Sequence, residues 1–222
     1  VIASLDLARF PLGVAEREAL ALLRAGRRGE AAFARLLLPM RLDSIPVPLP
    51  RMTLAYWFAL WHDEAALARF RAGPLRRWDG ARERLALTMR PVQGFGTWGG
   101  ADPLDGDRSG PAAGPVVLLT HSRTRAASFP RFLSTNRAVV RAVERAEGRL
   151  WSDGYIDEPV RLDSGTVSIW RDTAAATAFA YGPGVHQGAL RAQREGAWFP
   201  ESWFGRFAIE TAAGSWRGLP KL

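Results

Sequence analysis

The chain contains no cysteine. Disulfides, zinc–thiolate sites, iron–sulfur clusters and thiolate-ligated haem are thereby excluded. Histidine is scarce as well, with three in the chain, His62, His121 and His186, so a multi-histidine metal centre is hard to build. Lysine occurs once, at Lys221, although Lys and Arg together number 30, so the positive charge is carried almost entirely by arginine. No apolar run approaches the roughly 20 residues that span a bilayer as a helix. The opening stretch VIASLDLARF lacks the basic-then-apolar pattern of a secretory signal, and the expected location is the cytoplasm. A GxGxxG loop between strand and helix, a Walker A loop, GxSxG and HExxH are all missing. No pair of acids is spaced as glycoside hydrolysis would need.

What is present is an ordinary globular composition. The 222 residues are 47% hydrophobic and 23% charged, enough for one large domain or two small ones with a real core. The net charge is +8. The arginines are interleaved with acids, as in RAVERAEGR and RAQREG, rather than gathered in a patch. Nucleic acid is therefore not an expected partner. Arginine pairs well with carboxylates, so part of this charge could hold the acid groups of a cofactor.

The chain repeats itself. FALWHDEAALARFRAGPLRRW (58–78) aligns with VSIWRDTAAATAFAYGPGVHQ (167–187) at a constant offset of 109, which pairs Trp61 with Trp170, Asp63 with Asp172, Phe70 with Phe179 and Gly73-Pro74 with Gly182-Pro183. Each half closes alike, on GTWGG (96–100) and GSWRG (214–218). The larger offset of that close puts an insertion in the second half, assigned to AWFPESWFG (197–205). TLAYWFALW (53–61) and TVSIWR (166–171) have the β-branched and aromatic content of strands. Asp63 and Asp172 stand where helix N-caps belong. Strands are also expected at 116–125, near 150–156, and in RERLALTMRPVQ and WFGRFAIETA; helices are expected at 15–26 and 131–148. The order β-α-β-β-α-β is that of the ferredoxin-like plan. The expected fold is α+β: two tandem ferredoxin-like halves, 1–100 and 116–222, joined by the Gly/Pro/Asp-rich linker 101–115 and packed into a pseudo-symmetric dimeric α/β barrel. The proline-broken stretch through IPVPLP (45–50) fits this plan least well.

The histidines differ in context. His62 sits at a strand-to-helix junction opposite Arg171 of the repeat, which suits a polar surface position. His121 is mid-strand on one face with Leu119 and Arg123, either a hydrogen-bonded barrel residue or part of a polar pocket. His186 follows Gly182-Pro183-Gly184 in the first turn of a helical stretch, with Ala189, Leu190 and Gln193 on its face. A helix N-terminus disfavours imidazolium and keeps the ring in the neutral form a metal ligand needs, although a buried structural histidine reads the same way.

The block 165–218, from GTVSIWRD through GPGVHQ and AWFPESWFGRFAIE to GSWRG, resembles the C-terminal part of the spheroidene monooxygenase family. ALWHDEAALARF, GFGTWGGADP and LLTHSRTR resemble it too, so the likeness runs through about residues 53–218, while residues 1–52 depart from it. The resemblance implies a haem b protein that oxygenates an acyclic carotenoid at a terminal carbon, related to haem-binding dimeric α/β barrels such as aldoxime dehydratases and chlorite dismutases. It makes His186 the axial ligand of the iron, with Trp170, Phe179, Leu190 and Trp198 around the cofactor. His121 and Arg123 are the candidate catalytic pair on the open side of the haem, since a cationic donor there would stabilise developing negative charge. The partners implied are a hydrophobic small molecule and an electron-donor protein, with peripheral membrane association and self-association left open. Haem-dependent dehydration or N-oxygen chemistry, and a non-catalytic haem-binding or small-molecule-binding barrel, are the alternative readings.

Overall fold

The computed structural model describes residues 1–26, 30–41, 49–106, 110, 112–158, 163–182, 188, 191 and 198–222. The chain runs β1 (Ile2–Arg9), α1 (Ala15–Gly26), β2 (Ala31–Arg41), the two-residue β3 (Leu49–Pro50), β4 (Leu54–Trp61), α2 (Glu64–Ala72) and, after a 3-10 turn at Pro74–Gly80, β5 (Glu83–Gly96). There follow β6 (Val116–Arg123), α3 (Phe129–Glu144), β7 (Arg149–Glu158), β8 (Asp163–Trp170), α4 (Thr173–Tyr181) and β9 (Glu201–Gly214). The strand order is β3-β2-β4-β1-β5-β9-β6-β8-β7, and β2 also pairs with β7. Eight antiparallel strands thus close into a barrel, with β3 a short addition to β2.

Strand alternation divides the side chains between the barrel interior and the helix-covered exterior. Inside lie Leu5 and Leu7 of β1, Tyr56 and Phe58 of β4, Leu87 of β5, Val117 and Leu119 of β6, Ile169 of β8 and Phe207 of β9. The interior is a packed core rather than a channel. Outside, Trp57, Trp61, Phe70 and Trp78 form a separate cluster that seats α1 and α2 on the first-half strands.

The repeat has a structural meaning at each of its marks. Asp63 accepts from Ala66 N at 2.7 Å and Asp172 from Ala175 N at 2.7 Å, so both carboxylates cap their helices. Gly96 and Gly214 both have positive φ, 93° and 92°, and an added Cβ at either would lie 2.1–2.2 Å from a carbonyl oxygen across the β5–β9 pair. These turns send Trp98 and Trp216 into the barrel core. β5 and β9 match at an offset of 118 from first residue to last. Residues 201–205 therefore belong to β9 itself. The additional residues of the second half precede Glu201, which corrects the assignment of the insertion to 197–205.

Candidate functional site

β6 turns His121 and Arg123 toward the barrel side, in line with Val117 and Leu119. His121 is fully buried, stacks on Trp98 with centroids 4.5 Å apart, and places Nδ1 3.8 Å from Asp157 Oδ1. The Trp98 indole donates to Asp157 Oδ2 at 2.8 Å. Arg123 bridges two acids, donating to Asp163 at 2.9 and 3.1 Å and lying 2.7 Å from Glu201 Oε2. His121, Asp163 and Glu201 could offer a cation three ligand atoms within 4.8 Å. Arg123 and the Gly100 amide, which donates to Glu201 Oε1 at 2.6 Å, already occupy those carboxylates. The cluster is better suited to closing this mouth of the barrel, where it latches the loop carrying Trp98.

Burial pushes Asp157 up from 3.8 to about 6; the Trp98 hydrogen bond and Arg35 act against this and Asp163 acts with it. The folded-state value thus lies above the unfolded one, so the folded protein holds this proton more tightly. Stability from this group is full below about pH 4 and declines as pH rises through about 6. Asp157→Asn keeps an acceptor for Trp98 and removes the titration. Urea unfolding of the variant should be flatter between pH 4 and 6.5, and more stable above that range by at most about 3 kcal/mol. Identical pH profiles for parent and variant would contradict the buried, raised carboxyl.

The other face of the second-half sheet is built differently. From β6, β8 and β9 it presents Thr120, Ser122, Ser164, Thr166, Ser168 and Ser202, with Val116, Leu118, Trp170 and Phe204 as its apolar members. The hydroxyls of Thr120 and Thr166 pair at 2.8 Å across the strands. Among the described residues, the helices over this face bury fewer large side chains than those of the first half. α2 buries Ala66, Leu67 and Phe70, whereas the sixteen-residue α3 buries only Phe132 and α4 only Ala176. Val139, Val140 and Val143 of α3 stay half-buried.

Arg206 of β9 lies on this face at 8% exposure, between Leu118 of β6 and Gln93 of β5. Its Nε has no hydrogen-bond partner, and it pairs with no carboxylate among the described residues. Burial pushes the guanidinium below the usual arginine range, with the nearby Tyr181 opposing. A buried, unneutralised cation is costly to a folded protein.

Trp170 and Phe179 meet on this same outer face at 5.3 Å, and the Trp170 indole donates to Ser168 at 2.9 Å. Trp198 is buried, with its carbonyl accepting from Arg125 N at 2.9 Å, and the adjacent Phe199 packs on Phe132 of α3. Trp170 and Phe179 thus share the second-half layer. His121 and Arg123 face the opposite side of the sheet and are not brought together with them. A part for that pair in the reaction would require substrate at the barrel mouth. His186 and Leu190 lie outside the described residues, and His62 is exposed at its junction. Arg206 was not singled out from the sequence; its signal is a lone charge inside the strand-like WFGRFAI.

A spheroidene monooxygenase of Rhodobacter capsulatus is 34% identical over 150 residues, which are 66% of this chain and 62% of that protein. This chain belongs to the spheroidene monooxygenase family. The family member of Cereibacter sphaeroides is 28% identical over 175 residues, covering 77% of this chain and 54% of its own length. The chain thus spans between half and two-thirds of the curated relatives it matches. No protein-family model matches it. Among solved structures, an aldoxime dehydratase in complex with butyraldoxime superposes with a TM-score of 0.56 over 94% of this chain and 79% of that one. At 11% identity, that likeness concerns the fold alone.

Proposed function

We propose that this chain is a haem-dependent monooxygenase of a hydrophobic substrate, an acyclic carotenoid by the family's name, with the haem between the outer face of the second-half sheet and α3 and α4. Arg206 carries the reading: a buried cation with no carboxylate partner among the described residues, on a strand face rich in small hydroxyl side chains, suits a planar ligand bearing acid groups. The family relationship supports it. The strand orders β2-β4-β1-β5 and β9-β6-β8-β7 support the companion reading of two ferredoxin-like halves, 1–100 and 116–222, in one pseudo-dimeric barrel.

In this reading His186 would ligate the iron, Arg206 would hold a propionate, and Trp170, Phe179, Leu190 and Trp198 would enclose the ring. When bound, the haem would activate dioxygen for insertion of one atom into a C–H bond, with two electrons from an external donor. The chain's own residues do the rest. The half-buried valines of α3 and the apolar members of the sheet face exclude water and receive a hydrocarbon, and the threonine and serine hydroxyls offer short-range polar contacts.

Titration of the purified protein with haem should give uptake of one haem per chain and a Soret band that His186→Ala weakens or shifts. Turnover should consume oxygen. Absence of haem uptake would overturn the proposal, and turnover under strict anaerobiosis would favour dehydration instead.

A further inference from the structure

The barrel mouth that holds His121 is covered by the segment 97–106, which follows β5. Its Trp98 and Leu104 are buried members of the barrel core. Hydrogen bonds tie the segment to the rim. Thr97 N donates to Ser202 O at 2.9 Å, Gly100 N to Glu201 Oε1 at 2.6 Å, and Trp98 Nε1 to Asp157 Oδ2 at 2.8 Å.

This closure serves Asp157 poorly. The side chain is 2% exposed, and its Oδ1 has no hydrogen-bond partner. Charged and titratable groups surround it. Arg35 of β2 holds Nε 3.7 Å from Oδ2, while its Nη1 donates to Ala34 O. His121 of β6 has Nδ1 3.8 Å from Oδ1. Arg123 of β6 is engaged by Asp163 of β8 and Glu201 of β9. Asp163 opposes a negative charge on Asp157. Tyr155, on the same strand as Asp157, is kept a neutral phenol by burial and donates to Thr120 O. A buried carboxylate with an unserved oxygen is costly unless water reaches it. The indole that donates to it belongs to a loop rather than a barrel strand, so movement of that loop is the least disruptive route for water. The protonated carboxyl needs no such hydration and still accepts from the indole.

We propose that the segment 97–106 is a lid on this mouth of the barrel, held shut while Asp157 is protonated and loosened when it ionises. Opening would bring His121 and the core beneath Trp98 into contact with solvent. Burial holds the carboxyl at about 6 in the closed protein, against an ordinary 3.8. The closed arrangement thus binds the proton more tightly than an open, hydrated one. Closure is favoured at low pH, and its advantage declines as pH rises through about 6. The inference does not depend on haem or on the second-half layer.

Amide exchange of the full chain without haem tests it. After correction for the intrinsic pH dependence of exchange, protection of the Thr97, Trp98 and Gly100 amides should fall roughly tenfold between about pH 5 and about pH 8. Low urea should leave these amides nearly unchanged while speeding those of β4, because a local opening exposes little surface. Asp157→Asn keeps an acceptor for the indole and should remove the pH effect. Glu201→Gln keeps an acceptor for Gly100 and should retain it. Trp98→Phe removes the indole donor and should loosen the segment already at about pH 5. His121 is the other group here whose ordinary range lies between these pH values. A pH effect that survives in Asp157→Asn would belong to that imidazole and overturn the proposal. So would lid amides that exchange at the rate of β4 with the same urea response, or protection in Trp98→Phe equal to the parent's.

Discussion

Arg206→Leu is expected to make the protein more stable and a poorer haem binder. The two signs come from one physical situation. In the folded chain the guanidinium is buried at 8% exposure with no carboxylate among the described residues, so it costs free energy that an apolar side chain would not. Leucine has much of the stem's bulk and keeps contact with Leu118 and Phe204. Thermal unfolding without haem should therefore shift upward by a few degrees. A charge-assisted hydrogen bond to a propionate is worth about 1.5–3 kcal/mol, so haem affinity should fall roughly 10- to 150-fold. The loss should shrink for the dimethyl ester of the porphyrin, which has no carboxylate to hold. A purely structural arginine would give the opposite pattern, with lower melting temperature and unchanged affinity.

Gly165→Ala is expected to damage the fold more than any other small-to-small change in the second half. Gly165 of β8 pairs with His121 of β6, and the Tyr155 phenol crosses this point to donate to Thr120 O at 2.8 Å. An added Cβ would lie 1.9 Å from Thr120 O and 2.6 Å from Tyr155 Oη. Neither a paired strand backbone nor a fully buried ring can move aside cheaply. A cost of at least about 3 kcal/mol corresponds to a drop of roughly 6–12 °C for a chain of this size. Circular dichroism melts of purified parent and variant would measure it. A variant melting with the parent would mean that β6, β7 and β8 are not in this register.

The sequence was most legible where local pattern and tertiary environment agree. β4 and β8 are buried nearly throughout and read as aromatic and β-branched runs, and Asp63 and Asp172 are caps because their hydrogen bonds are local. α1 was expected over the residues it occupies, whereas α3 starts at Phe129 and ends at Glu144, earlier at both ends than the expected 131–148. β1 was harder to see. Its polar residues Ser4 and Asp6 are buried because Trp61 donates to Ser4 at 3.0 Å and Arg71 and Arg84 lie near Asp6, partners 57 to 78 positions away in sequence. No local pattern reveals such partners.

The candidate site was legible in part for a related reason. Alternation along β6 separates Leu119, His121 and Arg123 from Thr120 and Ser122, but only barrel closure decides which set looks inward. Among the described residues, the smaller buried cluster under α3 and α4 stands out only beside the tryptophan-rich cluster under α1 and α2. Arg206 reads as one more arginine among many until its burial and its unpartnered Nε are known.

Hydrogen–deuterium exchange with and without haem tests the proposed haem site most directly. Haem should slow exchange in α3, α4 and the facing strands β6, β8 and β9, and leave α1, α2 and the amides of β1 and β4 as they were. Protection confined to the first half, or spread evenly over both, would contradict a haem held between the second-half sheet and its helices.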